Sequence, residues 1–432
     1  MATAPQKGPY FGTSAVHGGQ KPDPTTLSRA PAVYRTSSFV FKNAEHAANL
    51  FALKEFGNIY SRLGNPTNDM LEAMVSELEG GAASVSVSSG TAAIFNTVIT
   101  IARAGDEIVS ASNLYGGTYT MFDAILPDLG ITTRWADIKE LDSFKRAITE
   151  KTRLVYIETI GNPSLDMADI GAIADIAHKH RLPLVVDGTF TTPYLLRTIE
   201  HGADIVINSL TKWMGGHGTA IGGIVTDAGT FDWSDPKFSL FTQPDKNYHG
   251  LRWAIDLPEE LRKIAFALRF RTVPLRNLGA CLSPDNAWLF IQGIETLHLR
   301  MPRHSENALE VARFLQKHPS VAWVRYPGLP EDPSYPTAAK YLSRGFGGMV
   351  VFGVKGGKAA GERFIDKLQL FSHLANVGDA KSLALHPAST SHSQLTEEQQ
   401  RSGGLTPDLV RLSIGLEDIR DIIADLDQAL SM

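Results

Sequence analysis

The stretch INSLTKWMGGHG, residues 207–218, decides how the chain is to be read. It continues the apolar run Ala203-Asp204-Ile205-Val206-Ile207 and delivers a lysine with hydroxyls before it and glycines after it. A lysine is costly to bury unless it is paired or deprotonated. The glycines remove side chains that would hold a ligand away. Taken alone, the stretch also suits a surface lysine on a loop.

Upstream and downstream of it, from about Ala83 to Asp227, short β-branched runs alternate with amphipathic ones, the pattern of βαβ units and a mainly parallel sheet. The strand-like runs are SVSVSS, EIVSAS, RLVYIET, LPLVVDG, ADIVINS and IGGIVT. TAAIFNTVITIARA and IGAIADIAHKHR read as helices between them. The strands are rich in Val and Ile with little alternation, as expected when helices cover both faces. Ligands on such sheets collect at the C-terminal ends of the strands.

Near Gly229 the alternation stops, and the stretch to about Pro284 is rich in aromatic and charged residues. A helical pattern then runs from Asp285 to Lys317, with a kink or break predicted at Pro302. VAWVRYPG, GGMVVFGV, SLALHPAS and DLVRLSIG read as strands, and GERFIDKLQL and EDIRDIIADLDQAL as helices. The fold class expected is α/β, with a large domain over 63–284 and a smaller α+β C-terminal domain over 285–432.

Composition narrows the function. The 432 residues, 43% of them hydrophobic, suffice for more than one core. Forty-one basic residues against 46 acidic give a net charge of −5, so no global positive field recruits nucleic acid or anionic membrane. No apolar run approaches a membrane span, and MATAPQKGPYFGTSAVHGG lacks the order of a secretory signal. The single cysteine, Cys281, fits a reducing compartment, and a cytoplasmic protein is expected. No metal is expected: His178-Lys179-His180 and the pair His386 and His392 lack carboxylate or cysteine ligands at suitable spacing and read as solvated histidines.

The residues that follow the strands carry the chemistry. Ser89-Gly90-Thr91 opens a helix, where free N–H groups favour a phosphate, although on this motif alone a plain N-cap by Ser or Thr is the favoured reading. Asn162 lies in the turn Thr159-Ile160-Gly161-Asn162-Pro163, Asp187 ends LPLVV, and Ser209-Leu210-Thr211-Lys212 ends ADIVIN. An acid that neutralises a pyridinium, a lysine that forms an imine and a glycine-containing phosphate cradle together match the needs of pyridoxal 5'-phosphate. GGHGTAIGG lacks the G-x-G-x-x-G spacing, and no G-x-x-x-x-G-K-[ST] occurs.

Seven motifs in order, YSRLGNPT, SSGTAAI, SNLYGGTY, ETIGNPS, VVDGTFTTPYL, INSLTKWMGGHG and HPASTSHSQLTEEQQ, resemble the pyridoxal-phosphate enzymes of cysteine and methionine metabolism, the trans-sulfuration family. Within it the chain is most similar to the O-acetylhomoserine sulfhydrylases, from about Thr13 to the C-terminus. The resemblance implies a fold-type I transferase with a seven-stranded sheet. It makes Lys212 the Schiff-base lysine and Asp187 the partner of the ring nitrogen. Tyr115 would stack on the ring and Asn162 would bond its hydroxyl oxygen. Ser89, Gly90, Thr91, Ser209 and Thr211 would hold the phosphate. Residues 1–62 would form an arm carrying Tyr60 and Arg62 to a neighbouring subunit's cofactor in a homodimer with shared sites, doubled to a homotetramer. Arg411 would clamp the substrate carboxylate beside Asn376, with Tyr60 also facing substrate. One departure stands out: the family's V-D-N-T-F is here Val186-Asp187-Gly188-Thr189-Phe190.

The implied activity is γ-replacement on O-acetyl-L-homoserine with sulfide, giving L-homocysteine and acetate, or with methanethiol, giving L-methionine. The alternatives are a cystathionine γ-synthase, a methionine or cystathionine γ-lyase, and a non-catalytic cofactor-binding relative. The segment at about 229–284 resembles an insertion of the sulfhydrylases that shorter cystathionine enzymes lack, and NVGDAKSLALHPASTSHSQL resembles the sulfhydrylase version. Acetyl, succinyl and phospho leaving groups are not separated by these residues.

Overall fold

A computed structural model describes residues 9–390 and 406–431. The main sheet has seven strands: β1 Ala83–Val87, β2 Glu107–Ala111, β3 Thr132–Ala136, β4 Thr152–Glu158, β5 Leu184–Asp187, β6 Ile205–Asn208 and β7 Gly223–Asp227. Their order is β1-β7-β6-β5-β4-β2-β3. Pairs β2·β3, β2·β4 and β4·β5 are parallel, whereas β1 and β7 run antiparallel. The mainly parallel seven-stranded sheet is thus as expected. Strand β3 escapes the sequence reading because it is an edge strand. Its five residues, TTRWA, bury only Ala136, so no apolar run marks it.

The chain forms two compact units. One takes the described residues of Met1–Ile101, Ile207–Thr211 and Thr219–Glu295, the other those of Ala102–Val206, Lys212–Gly218 and Thr296–Met432. In the first unit, helix Pro66–Glu79 begins with an Asn65 cap, whose side chain accepts from the Thr67 amide, and with proline at its first position. It ends at Gly80, φ +77°, the left-handed conformation that favours glycine. Helix Gly90–Ile101 follows β1, with Ala93, Ile94, Val98 and Ile101 buried. The aromatic stretch after Gly229 builds its own small core, in which Trp233 stacks on Phe241 with ring centroids 4.4 Å apart.

In the second unit, β4 and β5 are inaccessible through Leu154–Ile157 and Leu184–Val186, the physical reason for their unbroken apolar runs. Helix Ile170–Lys179 is capped by Asp169, which accepts from the Ala172 amide. A second sheet, of β8 Val321–Arg325, β9 Met349–Val354, β10 Ser372–His373, β11 Leu383–Leu385 and β12 Leu409–Ser413, has order β10-β11-β12-β9-β8. Helices Leu297–Lys317, Gly357–Lys367 and Ile419–Leu430 supply Val311, Phe364, Ile422 and Leu426 to a core shared with Val350, Phe352 and Leu412. This is the smaller α+β element.

The expected break at Pro302 lies elsewhere. Helix Pro284–Glu295 ends before Thr296, and helix Leu297–Lys317 runs through Pro302. With its start at Leu297, the helix meets proline in its second turn, where the missing N–H removes one bond near an already open end.

Phe352 packs edge-on against Phe364, with centroids 5.4 Å apart and planes at 89°. Phe352→Ala is expected to cost about 3–5 kcal/mol, read as a lowered midpoint in urea unfolding. An unchanged midpoint would show that this core collapses around the cavity.

Candidate functional site

Lys212 leaves the strand end on a segment held by backbone contacts. Its Nζ donates to Asn376 Oδ1 at 2.6 Å. The loop carrying Asn376 lies tight against the lysine. A Cβ on Gly378 would come within 2.5 Å of the Trp213 nitrogen and 3.0 Å of the Lys212 carbonyl carbon, and φ is +79° there. The Gly378 amide donates to Ser413 Oγ at 2.9 Å, which ties this loop to β12. Burial, and secondarily the charge of Arg411, lowers the Lys212 ammonium to about 8.

The glycines after the lysine serve a purpose different from the one expected. Gly216 has φ +72°, and a Cβ there would meet the Arg300 guanidinium at 2.1 Å. Arg300 is buried and donates through Nη1 to the Trp213 carbonyl at 2.7 Å and through Nη2 to the Met214 carbonyl at 3.2 Å. A Cβ on Gly218, φ +64°, would meet the Asp379 carboxylate at 2.5 Å. These two glycines admit the protein's own charged groups, which fix the turn after Lys212. Arg300 gave no sequence signal, because nothing in its helix distinguishes it from a surface arginine.

Arg411 lies on β12, between β11 and β9, and is 6% exposed. Its Nη1 donates to Asn162 Oδ1 at 3.0 Å and its Nη2 reaches the Asn376 carbonyl at 3.5 Å. Both acceptors are neutral. Burial pulls the guanidinium down to about 10, opposed by Tyr115. Lys212, Asn376, Arg411 and Asn162 thus form one hydrogen-bonded group.

Asp187 ends β5 and is paired in register with Glu158, the last residue of β4. Its Oδ1 accepts from the Thr189 amide at 2.9 Å, and the Tyr156 hydroxyl lies 3.5 Å from Oδ2. Burial raises Asp187 above the ordinary carboxylate value. Glu158 is buried, accepts from the Tyr115 amide at 2.8 Å, and is raised well above its usual value by burial and by the Asp187 charge. Tyr115 itself is 48% exposed, its ring over Gly117, where a Cβ would stand 2.6 Å from the ring. Glu158 was missed, although the rule that selects Asp187, an acid at the end of a buried strand, selects it as well.

In the first unit, Ser89 caps helix Gly90–Ile101: its Oγ accepts from the Ala92 amide at 3.0 Å. The plain-cap reading therefore holds for this hydroxyl. Gly90 packs on Ser209, whose Cβ would stand 2.7 Å from an added methyl. The amides of Gly90 and Thr91, in the first turn, need acceptors from outside the helix, and Thr91 is exposed. The Thr211 hydroxyl accepts from the Gly222 amide at 3.0 Å and faces its own neighbour's peptide. Arg62 stacks over the Tyr60 ring at 5.1 Å and donates to the Arg276 carbonyl. Tyr60 is 40% exposed.

Among the described residues no group of three or more His, Cys, Asp or Glu side chains is arranged to hold a metal. His386 is not solvated as expected: it is 2% exposed, with Nδ1 at 2.9 Å from Ser389 Oγ and Nε2 at 2.9 Å from the Pro407 carbonyl. His178 Nε2 lies 2.8 Å from Asp204 Oδ2. His392 and residues 391–400 of the last motif lie outside the described residues.

These residues have the chemistry that pyridoxal phosphate needs: in the second unit a desolvated lysine amine and a partly buried carboxylate that has no cationic partner among the described residues, and in the first a helix start against which only a glycine fits. Comparisons with known proteins agree. The chain is 54% identical to an O-acetyl-L-homoserine sulfhydrylase of Leptospira meyeri, over 97% of this chain and 96% of that one. It is 49% identical to O-acetyl-L-homoserine sulfhydrylase 1 of Thermus thermophilus, over 98% and 100%. A crystal structure assigned as an O-acetylhomoserine (thiol)-lyase of Campylobacter jejuni, bearing N'-pyridoxyl-lysine-5'-monophosphate, superposes with a TM-score of 0.94 at 41% identity, covering 98% of this chain and all of that one. A family model described as Cys/Met metabolism PLP-dependent enzyme matches residues 12–431, and the chain belongs to that family.

Proposed function

We propose that this chain catalyses γ-replacement on O-acetyl-L-homoserine: the bond from the γ-carbon to acetate breaks, a bond to sulfide sulfur forms, and L-homocysteine and acetate result. The observation that carries the reading is Arg411, a buried guanidinium whose partners are the neutral oxygens of Asn162 and Asn376. A cation so placed calls for an anion, and its planar fork suits an α-carboxylate. The choice of the acetyl ester and of sulfide rests on the sulfhydrylase relatives.

When bound, pyridoxal phosphate supplies an electron sink for negative charge developing on the substrate. Asp187 keeps the ring nitrogen protonated, and Tyr115 covers one ring face. Asn162, whose Oδ1 is taken by Arg411, has its amide nitrogen left to donate to the ring hydroxyl oxygen. The amides of Gly90 and Thr91 with the hydroxyls of Ser209 and Thr211 hold the phosphate, and Ser89 acts as the cap that presents them. Lys212, once released, would take the proton from the α-carbon, deliver it to the cofactor carbon that bears the substrate nitrogen and, neutral again, take one from the β-carbon. Asn376 Oδ1 holds the amine in place between these tasks.

The working unit is a homodimer with shared sites, doubled to a tetramer. The arm, residues 1–62, brings Tyr60 and Arg62 to the partner's phosphate and substrate. Exposed Tyr34, Val40, Phe41 and Phe56 along the arm support its being covered by another subunit. The lone Cys281 supports a reducing, cytoplasmic setting. No helix of the described residues is long and apolar enough to cross a membrane.

The direct test incubates the purified holoprotein with O-acetyl-, O-succinyl- and O-phospho-L-homoserine, each with and without sulfide. L-homocysteine from the acetyl ester, dependent on sulfide, is expected. A sulfide-independent 2-oxo acid as main product would make the chain a γ-lyase.

Three further outcomes are expected. Arg411→Lys keeps the charge but loses the fork, so kcat/KM should fall by an amount equivalent to about 2–5 kcal/mol while the visible spectrum of the cofactor persists. A normal KM would remove Arg411 from substrate binding.

The second concerns pH. With Lys212 lowered to about 8, about one amine in ten is neutral at pH 7, against about one in three thousand at the ordinary value. Attachment of pyridoxal phosphate to the cofactor-stripped protein, trapped by borohydride, should therefore speed up with rising pH and level off just above 8. A midpoint near 10 would show a solvated lysine.

The third concerns the shared site. Arg62→Ala and Lys212→Ala chains should each be inactive alone, yet co-expression should restore up to about half the sites of each heterodimer, because a two-fold interface exchanges the same patch. Heterodimers that form without regaining activity would place Arg62 in its own chain's site.

A further inference from the structure

The acid end of the site holds two carboxylates where the chemistry uses one. Glu158 and Asp187 end adjacent parallel strands as register partners, so their side chains leave the sheet on the same face, one strand spacing apart. Tyr156, two residues before Glu158 on β4, projects on that face as well, with its hydroxyl toward Asp187. Among the described residues neither carboxylate has a Lys, Arg or His partner. The groups facing Glu158 are the Tyr115 amide, Asp187 and the Tyr156 ring, and none of them is a cation.

Two like charges in such a pocket repel with little screening, so one of the acids keeps its proton. The donors decide which. Asp187 has the Thr189 amide and the Tyr156 hydroxyl to stabilise its negative form, and Glu158 has the Tyr115 amide alone. Asp187 is therefore the member that ionises, and a protonated ring nitrogen is the cation it lacks.

We propose that Glu158 keeps its proton in the working enzyme, so that the pair carries one negative charge, and that Glu158 positions Tyr115 by accepting its backbone amide. This rests on the reading of Asp187 and Tyr115 as cofactor residues. A neutral Glu158 still accepts from the Tyr115 amide through its carbonyl oxygen, so the ring-covering residue is fixed without a second charge competing for the ring nitrogen's proton. Burial and the Asp187 charge, which together raise Glu158 well above the usual carboxylate range, support the same assignment. Glu158 is a positioning residue and takes no proton from substrate.

The test compares wild-type holoprotein with Glu158→Gln and Glu158→Ala. At neutral pH the wild-type infrared spectrum should contain the carbonyl stretch of a protonated carboxyl group that is absent from Glu158→Gln. Cofactor dissociation should be about tenfold more favourable in Glu158→Ala, which leaves the Tyr115 amide without its acceptor, and Glu158→Gln should restore it to within about threefold. Identical carboxyl bands in wild type and Glu158→Gln would show Glu158 ionised and overturn the proposal. So would a Glu158→Gln protein that releases cofactor as readily as Glu158→Ala. A wild-type protein with no borohydride-trappable cofactor on Lys212 would instead overturn the proposed function, leaving a distinct signature.

Discussion

Desolvation of an ammonium beside a guanidinium is the constraint on which the site depends. Lys212 is drawn out of water next to Arg411, and among the described residues no carboxylate relieves either cation. The unfavourable placement is sustained by backbone. Arg300 grips the two carbonyls that follow Lys212, and Gly378 lets the Asn376 loop lie flat against it. An amine held that way loses its proton readily, which a nucleophile and proton carrier requires.

The same device appears with the sign reversed at the end of β4 and β5. There, among the described residues, carboxylates are desolvated without cations, as cations are desolvated without carboxylates around Lys212. On the proposed function, a cofactor with a protonated ring nitrogen and an amino-acid substrate with a carboxylate would supply the missing charges. Each cluster is polar, buried and incomplete, which distinguishes it from the Arg325 network, where Asp166 and Asp332 already neutralise the arginine.

Stability elsewhere accommodates these placements. The second unit surrounds β9 and β12 with apolar side chains from three helices, so Arg411 is mounted on a central strand rather than on a loop. A guanidinium on such a strand is held in one direction by the sheet, so that binding of an anion to it would cost little reordering.

Much of this was legible in the chain itself. Buried parallel strands lack alternation because both faces are covered, so β4, β5 and β6 announce themselves as Val and Ile runs, and the polar residue after each is then the site candidate; Asp187, Asn162 and Lys212 follow from that rule and from the family resemblance. Edge strand β3 did not, since exposure removes the apolar signal, and neither did the unbroken passage of a helix through Pro302, since proline's cost depends on where the helix begins. What only tertiary structure decided is pairing across long separations. Arg300 beneath Gly216, Asn376 on the Lys212 amine, His386 buried against the Pro407 carbonyl and Glu158 beneath Tyr115 are contacts between residues 21 to 164 positions apart in the chain. Local pattern carries the periodicity of a strand or helix because that periodicity is a property of a few neighbouring residues. The protonation of a buried group depends on which distant charges and amides the fold brings beside it, and one-dimensional spacing does not encode that.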